Sequence, residues 1–222
     1  MVTRLGIENW PAFFGGNIST AIFKQHWNWQ LAIAIGLVSF NAPISLLMAE
    51  LTGGFFSLAA VSRWPTALVI AFEPVPSNLE AIKSHLEANH VENLVRVEPV
   101  PLSGSDGNKR FFIREANQGS FSGDLPAEQA IDVKCRALAQ YLPPDPELLK
   151  LIKLDIEGAE VEVLDPLFKN GGTKKTIVVL ELHNTPITRP WIEHLAHRIG
   201  FTLEFFEIGS VTAHCQLTSP DL

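Results

Sequence analysis

A run of apolar residues that ends in three closely spaced carboxylates is the part of the sequence best suited to chemistry. Residues 151–154 lead to Asp155, which Glu157, Gly158 and Glu160 follow. This pattern predicts a buried parallel strand, a tight turn and a short helix. Ligands of open α/β sheets bind beyond the carboxyl ends of the strands. Asp155 is therefore expected at a binding site, although acids at this place can also serve only as caps of the following helix.

Glu73 ends a second apolar run, residues 67–72, and is the clearest candidate for contact with a nucleotide-like cofactor. It follows the glycine pair 53–54 by roughly twenty residues, the spacing at which nucleotide-binding folds place an acid on ribose hydroxyls. A carboxylate can accept both hydroxyl protons at once, which is the physical reason for an acid there. The alternative is a surface acid at the end of a strand.

His183 follows a third apolar run, residues 176–182, which contains Glu181. Its imidazole is a candidate general base, because the reference pKa of histidine lies near neutrality. A single histidine beside a strand end can also be only a hydrogen-bonding partner. Asp155, Glu157, Glu181 and His183 include oxygen and nitrogen atoms that could ligate a hard divalent metal. Their spacing carries no metal-binding signature, so no metal is predicted.

Strands and helices alternate from residue 44 onward, a pattern that predicts a doubly wound α/β domain with a mostly parallel sheet. The predicted strands are residues 44–49, 67–72, 94–100, 110–114, 151–154 and 176–182, followed by an antiparallel edge hairpin of 201–208 and 211–217. The predicted helices lie around residues 56–61, 76–89, 136–142, 159–168 and 191–199. Asp106-Gly107 predicts a hairpin turn, and residues 116–126 are expected to form a loop.

Three short segments resemble signatures of the FkbM-type methyltransferases, a family of S-adenosylmethionine-dependent O-methyltransferases. They are KLDIEGAE at 153–160, AFEP at 71–74 and ELH at 181–183, and the similarity extends from about residue 53 to about residue 208. The resemblance implies a class I, Rossmann-like methyltransferase fold with S-adenosyl-L-methionine as the cofactor. It also implies a small-molecule acceptor that carries a hydroxyl group, such as a sugar or a polyketide.

The resemblance and the chemistry of the residues near its signatures together predict the site. The cofactor-binding residues would be Thr52, Gly54, Glu73, Ser103 and Asp155, and the catalytic residues Asp155, Glu157 and His183. Gly54 would let the backbone approach the methionine end of the cofactor closely. Ser103 would line the adenine pocket, and Asp155 would lie beside the transferable methyl group. Methyl transfer to oxygen is an in-line displacement, which requires an oriented acceptor and often a base for the hydroxyl proton.

The glycine loop before the first helix departs from the family pattern, which is approximately Asp-x-Gly-x-Asn-x-Gly. This chain has MAELTGG at residues 48–54, where only the last glycine lies at the position that the family pattern requires. Glu50 could replace the missing acid from a shifted position, and Thr52 could supply a hydroxyl. The altered loop keeps a second class of function open, a binding module with the same fold and no catalysis. A nicotinamide-dependent oxidoreductase is a third class, disfavoured because no GxGxxG motif follows the first strand.

The composition indicates which partners and which cellular compartment are expected. The 222 residues carry 17 basic and 24 acidic side chains, a formal charge of −7, without a dense basic cluster, which argues against a nucleic-acid surface. The two cysteines, Cys135 and Cys215, support neither a disulfide framework nor a thiolate metal site. A reduced, cytoplasmic setting is therefore expected, and no signal-peptide pattern opens the sequence.

The start of the chain differs from the rest. Residues 1–43 are expected to form a variable cap, and residues 44–222 the methyltransferase domain. Residues 31–49 carry no charge and approach the ~20 apolar residues that span a bilayer. Asn41 and Pro43 interrupt this run, so a buried helix followed by a core strand is predicted in preference to a membrane span.

Overall fold

The computed structural model describes residues 44–49, 54–114, 119–121, 129–169 and 174–222. The predicted cap and Thr52 lie outside these ranges. The helices are α1 (Phe55–Arg63), α2 (Pro76–Ala88), α3 (Glu160–Lys169) and α4 (Thr185–Ile199), with a short 3-10 helix at Leu138–Tyr141. The strands are β1 (Ile44–Ala49), β2 (Leu68–Phe72), β3 (Val95–Glu98), β4 (Leu102–Ser103), β5 (Gly107–Ile113), β6 (Gly119–Ser120), β7 (Gln129–Ala137), β8 (Leu149–Leu154), β9 (Thr176–His183), β10 (Thr202–Ile208) and β11 (Thr212–Thr218).

Seven of these strands form one sheet in the order β10-β11-β9-β8-β1-β2-β3. β1 pairs in parallel with β2 and with β8, and β3 and β9 extend the parallel part on either side. β11 is antiparallel to both β9 and β10. The chain thus winds from β1 to β3 and then returns to β8, so the direction of winding reverses between β1 and β8. This confirms the predicted doubly wound sheet with its antiparallel hairpin at the C-terminal edge.

The apolar runs that predicted the central strands are buried on both faces of the sheet. Leu151 and Ile177 belong to the cluster that includes α1 and α2, whereas their neighbours Ile152 and Val178 belong to the cluster that includes α3 and α4. Successive side chains of a strand point to opposite faces, so a strand covered on both sides needs apolar residues at every position. The largely apolar sequence of β8 and β9 therefore places both strands in the interior of the sheet. Because the two strands are parallel, their carboxyl ends lie at the same edge.

The region between β3 and β8 differs from the sequence prediction. The helix predicted at residues 136–142 is wrong at its start, because β7 continues to Ala137 through its antiparallel pairing with β5. Only the 3-10 helix Leu138–Tyr141 remains of it. The hairpin predicted at Asp106-Gly107 is also not formed, since β4 and β5 both pair with β7 and not with each other. These pairings join distant segments, which local sequence patterns do not encode.

Asp106 has a different role, as an anchor between the start of β5 and the end of β7. Its carboxylate accepts hydrogen bonds from the Ala137 N–H at 2.9 Å, Gln140 Nε2 at 2.7 Å and Arg136 Nη1 at 2.6 Å. These three bonds, in that order with Ala137 first, lower the pKa of Asp106 to about 2. The aspartate of the predicted turn therefore stabilises the end of the antiparallel pair of β5 and β7.

Two further boundaries move. Helix α4 begins at Thr185, earlier than the predicted residue 191, because a proline occupies its first turn, where proline needs no hydrogen-bond donor. Within the predicted loop 116–126, residues 119–120 form β6, which pairs with β5.

The uncharged run of residues 31–49 ends in a core strand. Its last six residues are β1, which lies between β2 and β8, as predicted. Residues 31–43, where the buried helix is predicted, lie outside the described ranges. Across the part of the chain that the structure describes, no helix is long and apolar enough to cross a bilayer.

Candidate active site

The carboxyl ends of β2, β8 and β9 bring the predicted ionisable residues to one edge of the sheet. Glu73 directly follows β2, Asp155 directly follows β8, and His183 is the last residue of β9. One polar atom each of Asp155, Glu181 and His183 lies within 4.8 Å of the other two. Glu157 joins them, with its Oε2 3.5 Å from His183 Nε2. All three residues predicted to be catalytic therefore lie in one cluster.

A cavity of about 40 Å³ lies between the ends of β2 and β8. Glu73 and Asp155 are the two acidic residues that line it. The rest of the wall is mainly apolar and aromatic, and it includes Phe72, Leu102, Phe111, Phe121 and Ile156. The cavity thus has an acidic residue on the β2 side, another on the β8 side and a mainly apolar lining between them.

Glu73 is held by the turn that leads into α2. Its side chain is almost fully buried, with 1% exposure. Oε1 accepts a hydrogen bond from the Val75 N–H at 2.7 Å, and Oε2 accepts one from Asn78 Nδ2 at 3.1 Å. Glu73 is therefore a buried, oriented carboxylate and not the surface acid of the alternative interpretation.

Ser103 and Gly54 occupy different surroundings. Ser103 donates its hydroxyl to Glu162 Oε1 on α3 at 2.5 Å, whereas its neighbour Leu102 lines the cavity. Adjacent residues of a strand face opposite sides, so β4 directs leucine and not serine toward the cavity. Gly54 precedes α1 with φ +78°, and a Cβ there would lie 3.2 Å from Ile82. The cofactor contacts of Ser103, Gly54 and Thr52 stay predictions.

His183 lies between two glutamates. Its Nδ1 is 2.9 Å from Oε1 of Glu160, which is fully buried, and its Nε2 faces Glu157. Burial acts to lower the pKa of His183, but the hydrogen bond and charge of Glu160, with the charges of Glu157 and Asp155, outweigh it and raise the pKa to about 9. The imidazole is therefore protonated at neutral pH in this arrangement. His183 can act as a base only after it has lost this proton.

Asp155 forms a buried ion pair. Lys153 Nζ lies 3.2 Å from Asp155 Oδ2 and 4.4 Å from the ring centre of Phe56. Burial raises the pKa of Asp155, and the charge of Glu181 raises it further. The positive charge of Lys153 acts to lower the pKa but does not outweigh burial. Asp155 accepts this hydrogen bond from Lys153 and not from a backbone N–H of the following helix, so this contact does not support the interpretation of Asp155 as a helix cap.

The two glutamates of the cluster respond differently to their surroundings. Burial raises the pKa of Glu157, and repulsion from Asp155 adds to the rise. The charge of His183 acts to lower the pKa but does not outweigh burial. Burial also acts to raise the pKa of Glu181, but the hydrogen bond and charge of His214 outweigh it, and the pKa falls to about 2. Glu181 is thus a firmly ionised carboxylate, and Glu157 is protonated more readily than an ordinary glutamate.

Sequence reasoning assigned no role to the partners that orient these side chains, which are Lys153, Glu160 and His214. Lys153 and Glu160 belong to the segment 153–160 that resembles the family signature, but the sequence does not show which side chains they contact. His214 faces Glu181 only because β11 pairs with β9 in the register that places the two residues opposite each other. The apolar alternation of β11 was the one available signal, and it does not fix a register.

The turns beside the cluster have unusual backbone geometry. Glu157 and Asn184 adopt the left-handed conformation, with φ of 52° and 55°, and Gly158 has φ 96°. A non-glycine residue in this region costs about 1–3 kcal/mol, and such residues concentrate at functional sites. Here they follow Asp155 and His183 at the ends of adjacent strands.

Comparison with known proteins agrees with this geometry. Residues 48–208 match the family described as the methyltransferase FkbM domain. Methyltransferase sdnD of Sordaria araneosa is 28% identical, and the match covers 68% of this chain and 70% of that protein. Methyltransferase 1 of Beauveria bassiana strain ARSEF 2860 is 24% identical, over 50% of this chain and 53% of that protein.

A solved structure shares the fold. The precorrin-6y C5,15-methyltransferase of Geobacter metallireducens GS-15 superimposes with a TM-score of 0.52 at 13% identity, over 84% of this chain and 86% of that one. The family match runs from the end of β1 to the end of β10, so it includes every strand end that contributes to the cluster. The chain therefore belongs to the FkbM methyltransferase family, and it is an S-adenosylmethionine-dependent methyltransferase with a class I fold.

Proposed function

We propose that the protein methylates a hydroxyl oxygen of a small metabolite, such as a sugar or a polyketide. The observation that carries this proposal is the convergence of Asp155, Glu157 and His183 beside the cavity that Glu73 lines. A hydroxyl acceptor has to be oriented for in-line attack, and it has to lose its proton. Two carboxylates and an imidazole in one cluster can provide both functions.

The residues that line the cavity have the chemical properties that binding of S-adenosylmethionine requires. Glu73 would hold the ribose hydroxyls, and Leu102 and Ile156 would contact the adenine. Asp155, in the wall of the same cavity, would lie on the side of the methyl group. When bound, the cofactor supplies an electrophilic methyl group on a sulfonium centre.

The walls of the cavity have to move for a cofactor to enter. A volume of about 40 Å³ is close to that of one water molecule, roughly 30 Å³, whereas ligand pockets measure roughly 300 Å³ or more. Phe111 and Phe121 meet edge to face on the side of the cavity that β5 and β6 form. We expect this aromatic pair to separate on binding, because it lies outside the seven-stranded sheet, whose central strands are fixed by pairing on both sides.

We assign distinct roles to the three residues of the cluster. Asp155, which its ion pair with Lys153 holds in place, orients the acceptor hydroxyl. Glu157 receives the hydroxyl proton. In its protonated form, His183 directs its Nδ1 proton to Glu160 and its Nε2 proton to Glu157. Its positive charge then balances the negative charge of the cluster, and it does not act as the first base.

Methyl transfer from methyl-deuterated S-adenosylmethionine tests the proposed acceptor class. We expect the mass of one deuterated methyl group to be added to hydroxyl-bearing sugars or polyketides in a panel of acceptors. Matched analogues that lack one hydroxyl identify the position, because deletion of the acceptor hydroxyl abolishes transfer. Reactions without protein measure uncatalysed methylation. Equal or faster transfer to matched amino analogues would contradict a site built for oxygen.

A further inference from the structure

We propose that Asp155, Glu181 and His183 bind one divalent cation of the Mg²⁺ or Mn²⁺ class at the carboxyl ends of β8 and β9. A ligand atom from each residue lies within 4.8 Å of the other two. Two atoms bonded to such an ion at about 2.0–2.1 Å lie roughly 3 Å apart when adjacent and roughly 4 Å apart when opposite. The three groups therefore have to approach one another by up to about 1–2 Å, a shift that side-chain rotation can provide.

Each proposed ligand is oriented by a second residue that holds its other polar atom. The pairs are Lys153 Nζ with Asp155 Oδ2 at 3.2 Å, His214 Nε2 with Glu181 Oε2 at 3.3 Å, and Glu160 Oε1 with His183 Nδ1 at 2.9 Å. Glu181 Oε1 and His183 Nε2, the remaining atoms of two of the ligands, lie 3.9 Å apart. Metal-binding residues typically have such partners, which fix the orientation of each carboxylate and the tautomer of each imidazole.

A second observation concerns the charge around the cluster. Glu160 is fully buried, and its Oε2 accepts no hydrogen bond from the residues that the structure describes. A buried carboxylate oxygen without a partner is costly unless positive charge lies nearby. Glu157 and the two ligand carboxylates add further negative charge around His183. A divalent cation bound between Asp155, Glu181 and His183 would take the place of the proton on His183 Nε2, which leaves to solvent, and would offset this excess of acid.

The donor set indicates the kind of ion. Two carboxylates and one imidazole without a thiolate suit Mg²⁺ or Mn²⁺ better than softer metals. Three protein ligands leave about three positions of an octahedral shell for water or for oxygen atoms of an acceptor. A cation so placed would orient an acceptor hydroxyl and lower its pKa. This catalytic role rests on the proposed function, whereas cation binding itself does not.

Titration of the full-length protein with Mn²⁺, followed by electron paramagnetic resonance, tests the site. We expect one bound Mn²⁺ per chain, displaced by Mg²⁺, and affinities at least about tenfold weaker in Glu181→Ala and His183→Ala, because each variant removes a ligand. Asp132→Asn is the matched control, since it removes an exposed carboxylate that pairs with Arg110 at the surface, away from the cluster. The control should bind Mn²⁺ like the wild type.

Two results would overturn the proposal. One is an absence of Mn²⁺ binding by the wild type, and the other is equal binding by the wild type and both alanine variants. Circular dichroism verifies that each variant is folded, and Glu181→Gln and His183→Gln replace any alanine variant that is not. Titration of the same proteins with S-adenosylhomocysteine tests the proposed function separately, because Glu73 is not part of the cation site.

Discussion

Asp155→Asn is expected to lower methyl transfer by about a hundredfold or more, while the affinity for S-adenosylhomocysteine changes by less than about tenfold. The substitution keeps the shape of the side chain and removes the charge that orients the acceptor. Methyl transfer is measured with the acceptor that the panel identifies, and the affinity by isothermal titration calorimetry. A larger effect on transfer than on affinity is the signature of a group that acts on the reaction.

Stability has to be measured on the same variant, because Asp155 is also the charge partner of Lys153. The lysine is only 4% exposed, and asparagine would remove the carboxylate that forms its ion pair, which leaves the charge of Glu181 and the Phe56 ring to stabilise the ammonium group. Some loss of stability is therefore expected. Asp165→Asn is the control, an aspartate on α3 that pairs with Lys169 at the surface. If transfer, affinity and stability of Asp155→Asn all fall in parallel, the role of Asp155 is structural.

Glu73→Ala is expected to weaken S-adenosylhomocysteine binding by at least about tenfold. Each charge-assisted hydrogen bond to ribose contributes about 1.5–3 kcal/mol, and 1.4 kcal/mol corresponds to about tenfold in affinity. The free energy of unfolding should fall too, by about 1–3 kcal/mol, because the buried Val75 N–H loses its acceptor at 2.7 Å. Calorimetric titration and thermal unfolding measure the two effects.

Glu73→Gln separates these two contributions. The amide oxygen can still accept the Val75 N–H, so stability should change little, whereas affinity should lie between those of the wild type and Glu73→Ala. Glu98→Gln is the matched control, since Glu98 ends the neighbouring strand β3, accepts hydrogen bonds from Arg96 and Tyr141, and does not line the cavity. Equal binding by the wild type and both Glu73 variants would show that the ribose is not held there.

The central strands and their acidic ends could be predicted because their sequence pattern follows from burial alone. β1, β2, β8 and β9 are predominantly apolar, and the residue after each apolar run lies at the edge of the sheet. For this reason Glu73, Asp155 and His183 were found as strand-end residues without knowledge of the strand order. Their convergence then follows from the parallel arrangement of β2, β8 and β9.

The insertion and the partners of the site residues could not be predicted in this way. The pairing of β7 with both β4 and β5 depends on contacts between distant segments, and it converts a predicted helix start into strand. His214 faces Glu181 because of a strand register that the sequence pattern leaves open. The raised pKa of His183 likewise arises from Glu160 and Glu157, whose distances only the folded chain defines.

A crystal structure of the full-length protein with S-adenosylhomocysteine is the most direct test of the account. We predict ribose hydroxyls on the Glu73 carboxylate, adenine against Leu102 and Ile156, separation of Phe111 from Phe121, and the sulfur atom on the side of Asp155. A ligand whose ribose lies away from Glu73 would contradict the proposed site. Absence of binding in crystals and in calorimetry would contradict a functional cofactor site and favour a binding module that keeps the methyltransferase fold.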